Sequence, residues 1–359
     1  MEKGKVEVFS VKADVLIVGQ GLAGSLLAWK FLERGLRILV VDKDEESTSS
    51  KVAAGLVTPL AGSRFNLPEE LEERLTHAKQ FYWDVEEATG TRLFHHLKIA
   101  RLFRTPQEND AWNKRLATDA ERYRPWHNSL NIDQDKFLCP DGGMEMNGGG
   151  WLDVPRFLDA TRQRLIECAA YAIATVKSDD IEVSDKVVRW KNVEADRVVF
   201  CEGWRGNKNR FFDWLPMNPA AGDILDLRIP DLAPEDRILN KGGWLLPIGD
   251  ELFRAGSTYR SNLNEEDGIE KGRNEILEKI AGITSADYEV VAIKTAIRPI
   301  IRRSQIFMGT HPSQPRVLFF NGLGSKGVLN GPWHAEKFVG HLLDKDALPS
   351  ETDIRSNFA

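Results

Sequence analysis

The sequence is poor in the residues that build disulfide scaffolds and metal centres. Its three cysteines, Cys139, Cys168 and Cys201, are widely spaced across 359 residues and form no CxxC pair. That excludes a disulfide framework, fits a reducing compartment, and reads as three ordinary, mostly buried thiols. Seven histidines include the adjacent His95 and His96, yet there is no HExxH and no spaced His/Cys/carboxylate set, so no metal is expected. A basic excess is missing too: 48 Lys and Arg stand against 54 Asp and Glu, a formal charge of −6, which argues against a nucleic-acid surface. No apolar run reaches membrane-spanning length. Residues 1–14, MEKGKVEVFSVKAD, lack the continuous apolar core of a signal peptide. The expectation is a cytoplasmic enzyme with no membrane span. Repeats, low-complexity tracts and flexible linkers are also lacking, so the size of the chain suggests two interleaved units.

What is present is an ordinary globular composition, 42% hydrophobic and 28% charged, and one stretch that organises the rest. Residues 13–44 read ADVLIVGQGLAGSLLAWKFLERGLRILVVDKD. Val15, Leu16, Ile17 and Val18 form a short apolar run ending at glycine, as a strand buried on both faces does. The GxGxxG that follows uses Gly19 for a tight turn, Gly21 for close approach of backbone to a pyrophosphate, and Gly24 for helix packing on the strand; Leu22 and Ala23 lie between. Residues 25–34 predict a helix stopped by Gly35, and residues 38–41 a second strand. Asp42 ends that strand where an acidic side chain reaches a ribose hydroxyl, with Lys43 beside it. The unit predicts a bound dinucleotide without choosing between FAD and NAD.

After Asp42 a serine-rich loop runs through Ser50 into Ala53, Ala54 and Gly55, small residues that let backbone pass a bulky planar ligand. An NAD domain would continue promptly into another α/β repeat, so the NAD reading loses ground here. Further helices are expected over 68–89, 109–123, 153–167, 265–281 and 332–343. Strands are expected at 97–103, in a ribbon within 170–202, and repeatedly between 216 and 299. Arg101 and Arg104 are candidates for facing a substrate carboxylate, with a surface role preferred for each. A second glycine-rich turn, VLFFNGLGSKGVLNG at 317–331, places Gly322, Gly324, Ser325, Lys326, Gly327 and Val328 between a buried strand and a helix, again offering free N–H groups to a ligand.

The segments VLIVGQGLAG, VVDKD, SSKVAAG, GGGWLDVPRFLDA, ADRVVFCEGW, IRP and NGLGSKGVLNGP occur in this order along nearly the whole chain. Together they resemble the D-amino-acid-oxidase-like family of FAD-dependent oxidoreductases. The resemblance implies an α/β fold with a Rossmann-type FAD-binding unit (1–75, 145–215 and 310–359). Interleaved with it would be a substrate or cap unit of mainly antiparallel sheet (76–144 and 216–309). It implies FAD held beside Val176, Glu202, Gly203 and Trp204, and oxidation of a C–N bond of a small amine or amino acid. In that chemistry a hydride passes to flavin N5, the imine is hydrolysed by water, and oxygen or an unknown carrier reoxidises the flavin. Arg298, in the IRP segment, is the expected carboxylate anchor, with Arg302 and Arg303 as solvated or interdomain charges. Trp244 and, more weakly, Tyr259 are wall candidates; Lys326 is a candidate cation near flavin N1. No cysteine lies around Arg298, so FAD is expected to be non-covalent. The alternatives are amine oxidation on a tRNA side chain, a flavin-binding redox protein without turnover, and an NAD-dependent dehydrogenase.

Overall fold

A computed structural model describes residues 11–60, 62–230, 232, 237–263, 265–301 and 305–358. The charged residues 1–10 and the pair Arg302 and Arg303 lie outside the described residues. The first sheet begins with the apolar run read above. Val11–Val18 pairs in parallel with Ile38–Asp42 on one side and Val193–Phe200 on the other. Tyr171–Ile173 adds outside the former and Val317–Asn321 outside the latter, both parallel. The antiparallel strand Phe307–Thr310 and a short hairpin, Glu182–Val183 with Val188–Trp190, finish that side.

Alternation along the strands fills two cores. Val15, Ile17 and Val40 join a cluster with the helices Leu22–Glu33, Leu71–Thr89, Val154–Glu167 and Gly327–Leu343. Leu16, Val18, Leu39 and Val41 join a second cluster with Ile181, Trp190, Phe211 and Phe212 on the opposite face. Strands covered on both sides have no polar face, which is why they read as continuous apolar runs.

The second sheet is mostly antiparallel. Its order runs Glu289–Arg298, Ala220–Arg228, Leu252–Gly256, Gly243–Gly249, Arg237–Lys241, Lys98–Leu102, Gly143–Met146, His127–Ser129. One face, carrying Ala100, Leu225, Leu239, Leu245 and Ala255, packs on Ile276 and Ile280 of the helix Gly268–Ala281. The other face looks toward the first sheet. A three-stranded sheet made by Leu56–Val57, Gly150–Leu152 and Phe94–His96 completes the strand pairing.

Four expectations are corrected. The sequence reading divides residues 71–89 between the two units, but Leu75, Ala78, Phe81, Tyr82 and Val85 form one stripe on the first-sheet side. The helix expected from Asn109 starts at Pro106, because Thr105 caps it by accepting the Glu108 N–H. Of the cysteines read as mostly buried, Cys201 is buried, Cys139 intermediate and Cys168 exposed. The last correction is the largest: the helix expected from Pro332 starts at Gly327 and holds Pro332 in its interior. Proline has no N–H to give the carbonyl four residues earlier. That carbonyl, of Val328, instead accepts the buried Tyr82 hydroxyl at 2.9 Å.

Replacing Tyr82 with Phe therefore leaves a buried acceptor unsatisfied, and urea unfolding is expected to show a loss of about 1–3 kcal/mol. Adding Pro332→Ala, which restores the N–H, should recover part of that loss. Strictly additive effects in the double variant would refute the link.

Candidate functional site

The C-terminal ends of the parallel strands and the open face of the second sheet enclose a cavity of about 370 Å³. Ligands of open α/β sheets bind outside those strand ends, where helix N-termini direct unpaired N–H groups. Two such helices open here, beginning at Leu22 and at Gly327.

The first turn is made by contact between backbones. Gly19 has φ +100°, and a Cβ on it would lie 2.6 Å from the Cys201 carbonyl oxygen; a Cβ on Gly24 would lie 1.8 Å from the Gly19 carbonyl oxygen. Gly24 is thus required by helix packing and does not line the cavity, whereas Gly19, Gly21, Leu22 and Ala23 do. The Leu22 N–H donates to Ser50 Oγ at 3.0 Å, which joins the small-residue loop to the helix start. Ala53, Ala54 and Gly55 continue that wall. Asp42 lines the cavity with Lys43, and its carboxylate accepts the N–H groups of Gln20 and Asp44, each at 2.7 Å. The carboxylate fixes the glycine turn from the end of the neighbouring strand.

Val176, Glu202, Gly203 and Trp204 form the side beyond Asp42, and Gly324, Ser325, Gly327 and Val328 the second glycine-rich turn. Asn321 ties the second glycine-rich turn to the exit of the strand Val193–Phe200: its side-chain amide donates to the Gly203 carbonyl at 2.8 Å while its Oδ1 accepts the Gly322 N–H at 2.9 Å. The sequence reading missed Asn321; an asparagine closing an otherwise apolar strand just before glycine was the available signal. Gly322 and Lys326 do not line the cavity. Gly322 is needed because a Cβ there would meet Ile301 at 2.8 Å. Lys326 lies in the field of Arg74 from the helix Leu71–Thr89, and desolvation and that neighbour lower its pKa. Its neighbours Ser325 and Gly327 border the cavity, and Lys326 itself does not.

Arg298, Trp244, Gly222 and Ser257 close the cavity from the second sheet, whereas Tyr259 is exposed and does not border it. Gly222 makes room for the arginine: a Cβ there would fall 2.2 Å from Arg298 Nη1. That nitrogen donates to the Thr258 carbonyl at 2.8 Å. Asp223, the nearby buried carboxylate, is already engaged by Arg260 at 2.9 Å, Thr258 at 2.6 Å and Thr295 at 2.7 Å. Among the described residues no carboxylate forms an ion pair with Arg298. Burial lowers its pKa, only partly offset by the field of Asp223.

No group of three or more His, Cys, Asp or Glu suited to a metal occurs among the described residues, and none of their helices is long and apolar enough to cross a membrane.

The family model described as FAD dependent oxidoreductase matches residues 14–339. The chain is similar to the uncharacterized oxidoreductase YurR of Bacillus subtilis (strain 168), 21% identical over 94% of this chain and 96% of that protein. It is also similar to the tRNA 5-methylaminomethyl-2-thiouridine biosynthesis bifunctional protein MnmC of Legionella pneumophila (strain Corby). There the identity is 21%, over 92% of this chain and 54% of that longer protein. Among solved structures, iminodiacetate oxidase from Chelativorans sp. BNC1 superposes with a TM-score of 0.80 at 17% identity, over 94% of this chain and 97% of that one. Glycine oxidase from Geobacillus kaustophilus superposes with a TM-score of 0.76 at 19% identity, over 98% and 99%.

Glu202 gives the cavity a charge that depends on pH. Desolvation pushes its carboxyl up to about 7, against the opposing Asn209 hydrogen bond at 2.7 Å and the more distant Lys43. Its ordinary value is 4.5, so between about 4.5 and 7 the folded protein binds more protons than the unfolded chain. Stability contributed by this group is present below that window and is lost as pH rises through it, on the order of 3 kcal/mol. Comparing wild type with Glu202→Gln by urea unfolding of the cofactor-free protein from pH 4.5 to 8 should show the wild type falling progressively relative to the variant. A constant difference across that range would remove the assignment.

Proposed function

Because the chain belongs to the FAD dependent oxidoreductase family, we propose that it oxidises the C–N bond of a small amine-bearing carboxylic acid held by Arg298. The observation that carries this reading is the guanidinium on the cavity wall that lacks an ion-pair partner among the described residues.

The residues present fit FAD. Gly19 and Gly21 bare the backbone at the start of the helix Leu22–Glu33, as a pyrophosphate needs. Asp42 retains acceptor capacity for a ribose hydroxyl, because each of its oxygens accepts one backbone N–H and has a further lone pair. Lys43, Ser50, Ala53, Ala54, Gly55, Val176, Glu202, Gly203 and Trp204 border the length of the cavity, and Gly324, Ser325, Gly327 and Val328 present the start of the second helix to the other end. Gly24 and Gly322 act by permitting these approaches. The segment around Arg298 carries no cysteine, which supports non-covalent attachment of FAD. When bound, FAD supplies a two-electron acceptor for converting an amine to an imine, which water then hydrolyses.

The chain itself positions and selects. Arg298 Nη1 is held by the Thr258 carbonyl, leaving the Nε and Nη2 edge for a carboxylate in the paired geometry that guanidinium favours. Asp223 acts on it only through space, because its carboxylate is hydrogen-bonded to Arg260, Thr258 and Thr295 and forms no ion pair with Arg298. Trp244 lies across the neighbouring strand, where a Cβ on Gly256 would fall 2.7 Å from its Cζ2, and it provides an apolar boundary that limits water. No strong general base is required if the amine arrives neutral.

Arg298→Met is expected to raise KM for an oxidised amino acid about 100-fold, a loss of roughly 3 kcal/mol for a charge-assisted pair, while the visible spectrum still shows bound flavin. An unchanged KM would sink the anchor role, and a colourless protein that takes up no FAD would overturn the cofactor reading.

A further inference from the structure

Beyond Trp244 the open face of the second sheet continues into a smaller cavity of about 230 Å³. Arg101, Arg104, Asn240 and Ser63 supply its polar lining, and Trp244 and Ser257 line both cavities. Strand register explains the shared wall. Gly256 pairs with both Ile224 and Trp244, Trp244 with Asn240, and Asn240 with Arg101. Residues paired across a sheet share a face, as do residues two apart along a strand. Arg298, Ala296 and Gly222 reach the same face by those two steps. One face therefore carries Arg298 toward one side and Arg101 toward the other, with the Trp244 ring lying flat between them.

The far end is cationic and built. Arg101 has a side chain only 13% exposed, yet its Nε–H has no hydrogen-bond partner. Its Nη1 donates to Asn240 Oδ1 at 2.5 Å, and its Nη2 approaches Glu108 at 3.3 Å. Glu108, itself buried, is shared with Arg104, whose Nε donates to it at 2.6 Å and whose backbone N–H donates at 3.0 Å. Two guanidinium groups against one carboxylate leave one net positive charge at this cavity. An isolated buried cation is costly, so a bound anion is favourable there.

We propose that this second cavity is a distal anion subsite, and that the acid oxidised at Arg298 carries a second acidic group several bonds away. The proposal rests on the Arg298 reading and adds the substrate class. The Arg298 guanidinium lies over Gly222 and that of Arg101 beside Asn240, three strand steps apart and offset by two residues along the strand, roughly 16 Å at about 4.8 Å per step and about 3.4 Å per residue. After a hydrogen-bonded contact at each end, roughly 8 Å separates the two acidic groups of a bridging ligand.

The test is calorimetric titration of the FAD-loaded protein with adipate and with hexanoate, two acids of equal chain length that contain no C–N bond to oxidise. Adipate is expected to bind at least tenfold tighter than hexanoate, and Arg101→Met to shrink that ratio below threefold. Arg104→Met, at a position with a half-exposed side chain, is the second variant and should reduce the same ratio. Equal affinities in the wild type, or an advantage that survives in both variants, would overturn the subsite. The readout needs no turnover. A protein that distinguishes the two acids but oxidises no amino acid would refute the proposed function and leave the subsite standing, whereas oxidation of monocarboxylic amino acids with no preference for adipate would do the reverse.

Discussion

Contact between bare backbones is the constraint on which the rest of this protein depends. Gly24 sits against the Gly19 carbonyl so closely that a methyl group would overlap it, and Gly19 in turn leaves no room for a methyl group at the exit of the strand Val193–Phe200. Those approaches draw a helix start, two strand ends and the small-residue loop around Ser50 to one place. Any side chain at either glycine would push the helix Leu22–Glu33 away from the sheet and carry its unpaired N–H groups with it. The cavity is the volume left where these backbones meet.

The second sheet solves a different problem, which is to present charge in a region otherwise low in water. Its two faces are sorted by alternation. Ala100, Leu225, Leu239 and Leu245 turn to the helix Gly268–Ala281, and Arg101, Asn240, Trp244 and Arg298 turn to the cavities. Asp223 lies one residue from the cavity face and is fully buried. Its carboxylate is hydrogen-bonded to Arg260 and two threonine hydroxyls and reaches Arg298 only through space, which leaves the Arg298 guanidinium without an ion pair among the described residues. Arg101, by contrast, shares its counter-ion with Arg104. At both ends the available positive charge is set by how the neighbouring carboxylates are committed.

Features resting on local chemistry were legible in the sequence. The strand, glycine turn, helix and Asp42 of residues 13–44 are contiguous, and each glycine has a steric reason that a reader of the chain can supply. The second glycine-rich turn was legible in the same way, whereas Arg298 was placed by resemblance to a family whose sequence model matches most of the chain. Features that depend on distant partners were not legible. Lys326 belongs to a turn that borders the cavity, yet the charged group whose field it feels, Arg74, comes from a helix more than two hundred residues earlier. Burial of Arg101 depends on Asn240, 139 residues away, and on Glu108 folding back from the next helix. The start of the last long helix was misread because proline normally ends a helix, and the hydroxyl that permits Pro332 comes from Tyr82, 246 residues away from the carbonyl it satisfies.

That last contact has a bearing on the order in which the molecule is assembled. During synthesis Tyr82 emerges long before Val328 and must remain without this acceptor until almost the whole chain has been made. The strand Val317–Asn321, which pairs beside Val193–Phe200, arrives equally late. Contacts spanning such separations are slow to form, because the intervening loop must first be closed. The first glycine turn is complete within a contiguous stretch, while the second takes shape only when the late strand and helix dock. A nascent chain thus acquires one wall of the cavity early and the other among its final folding events.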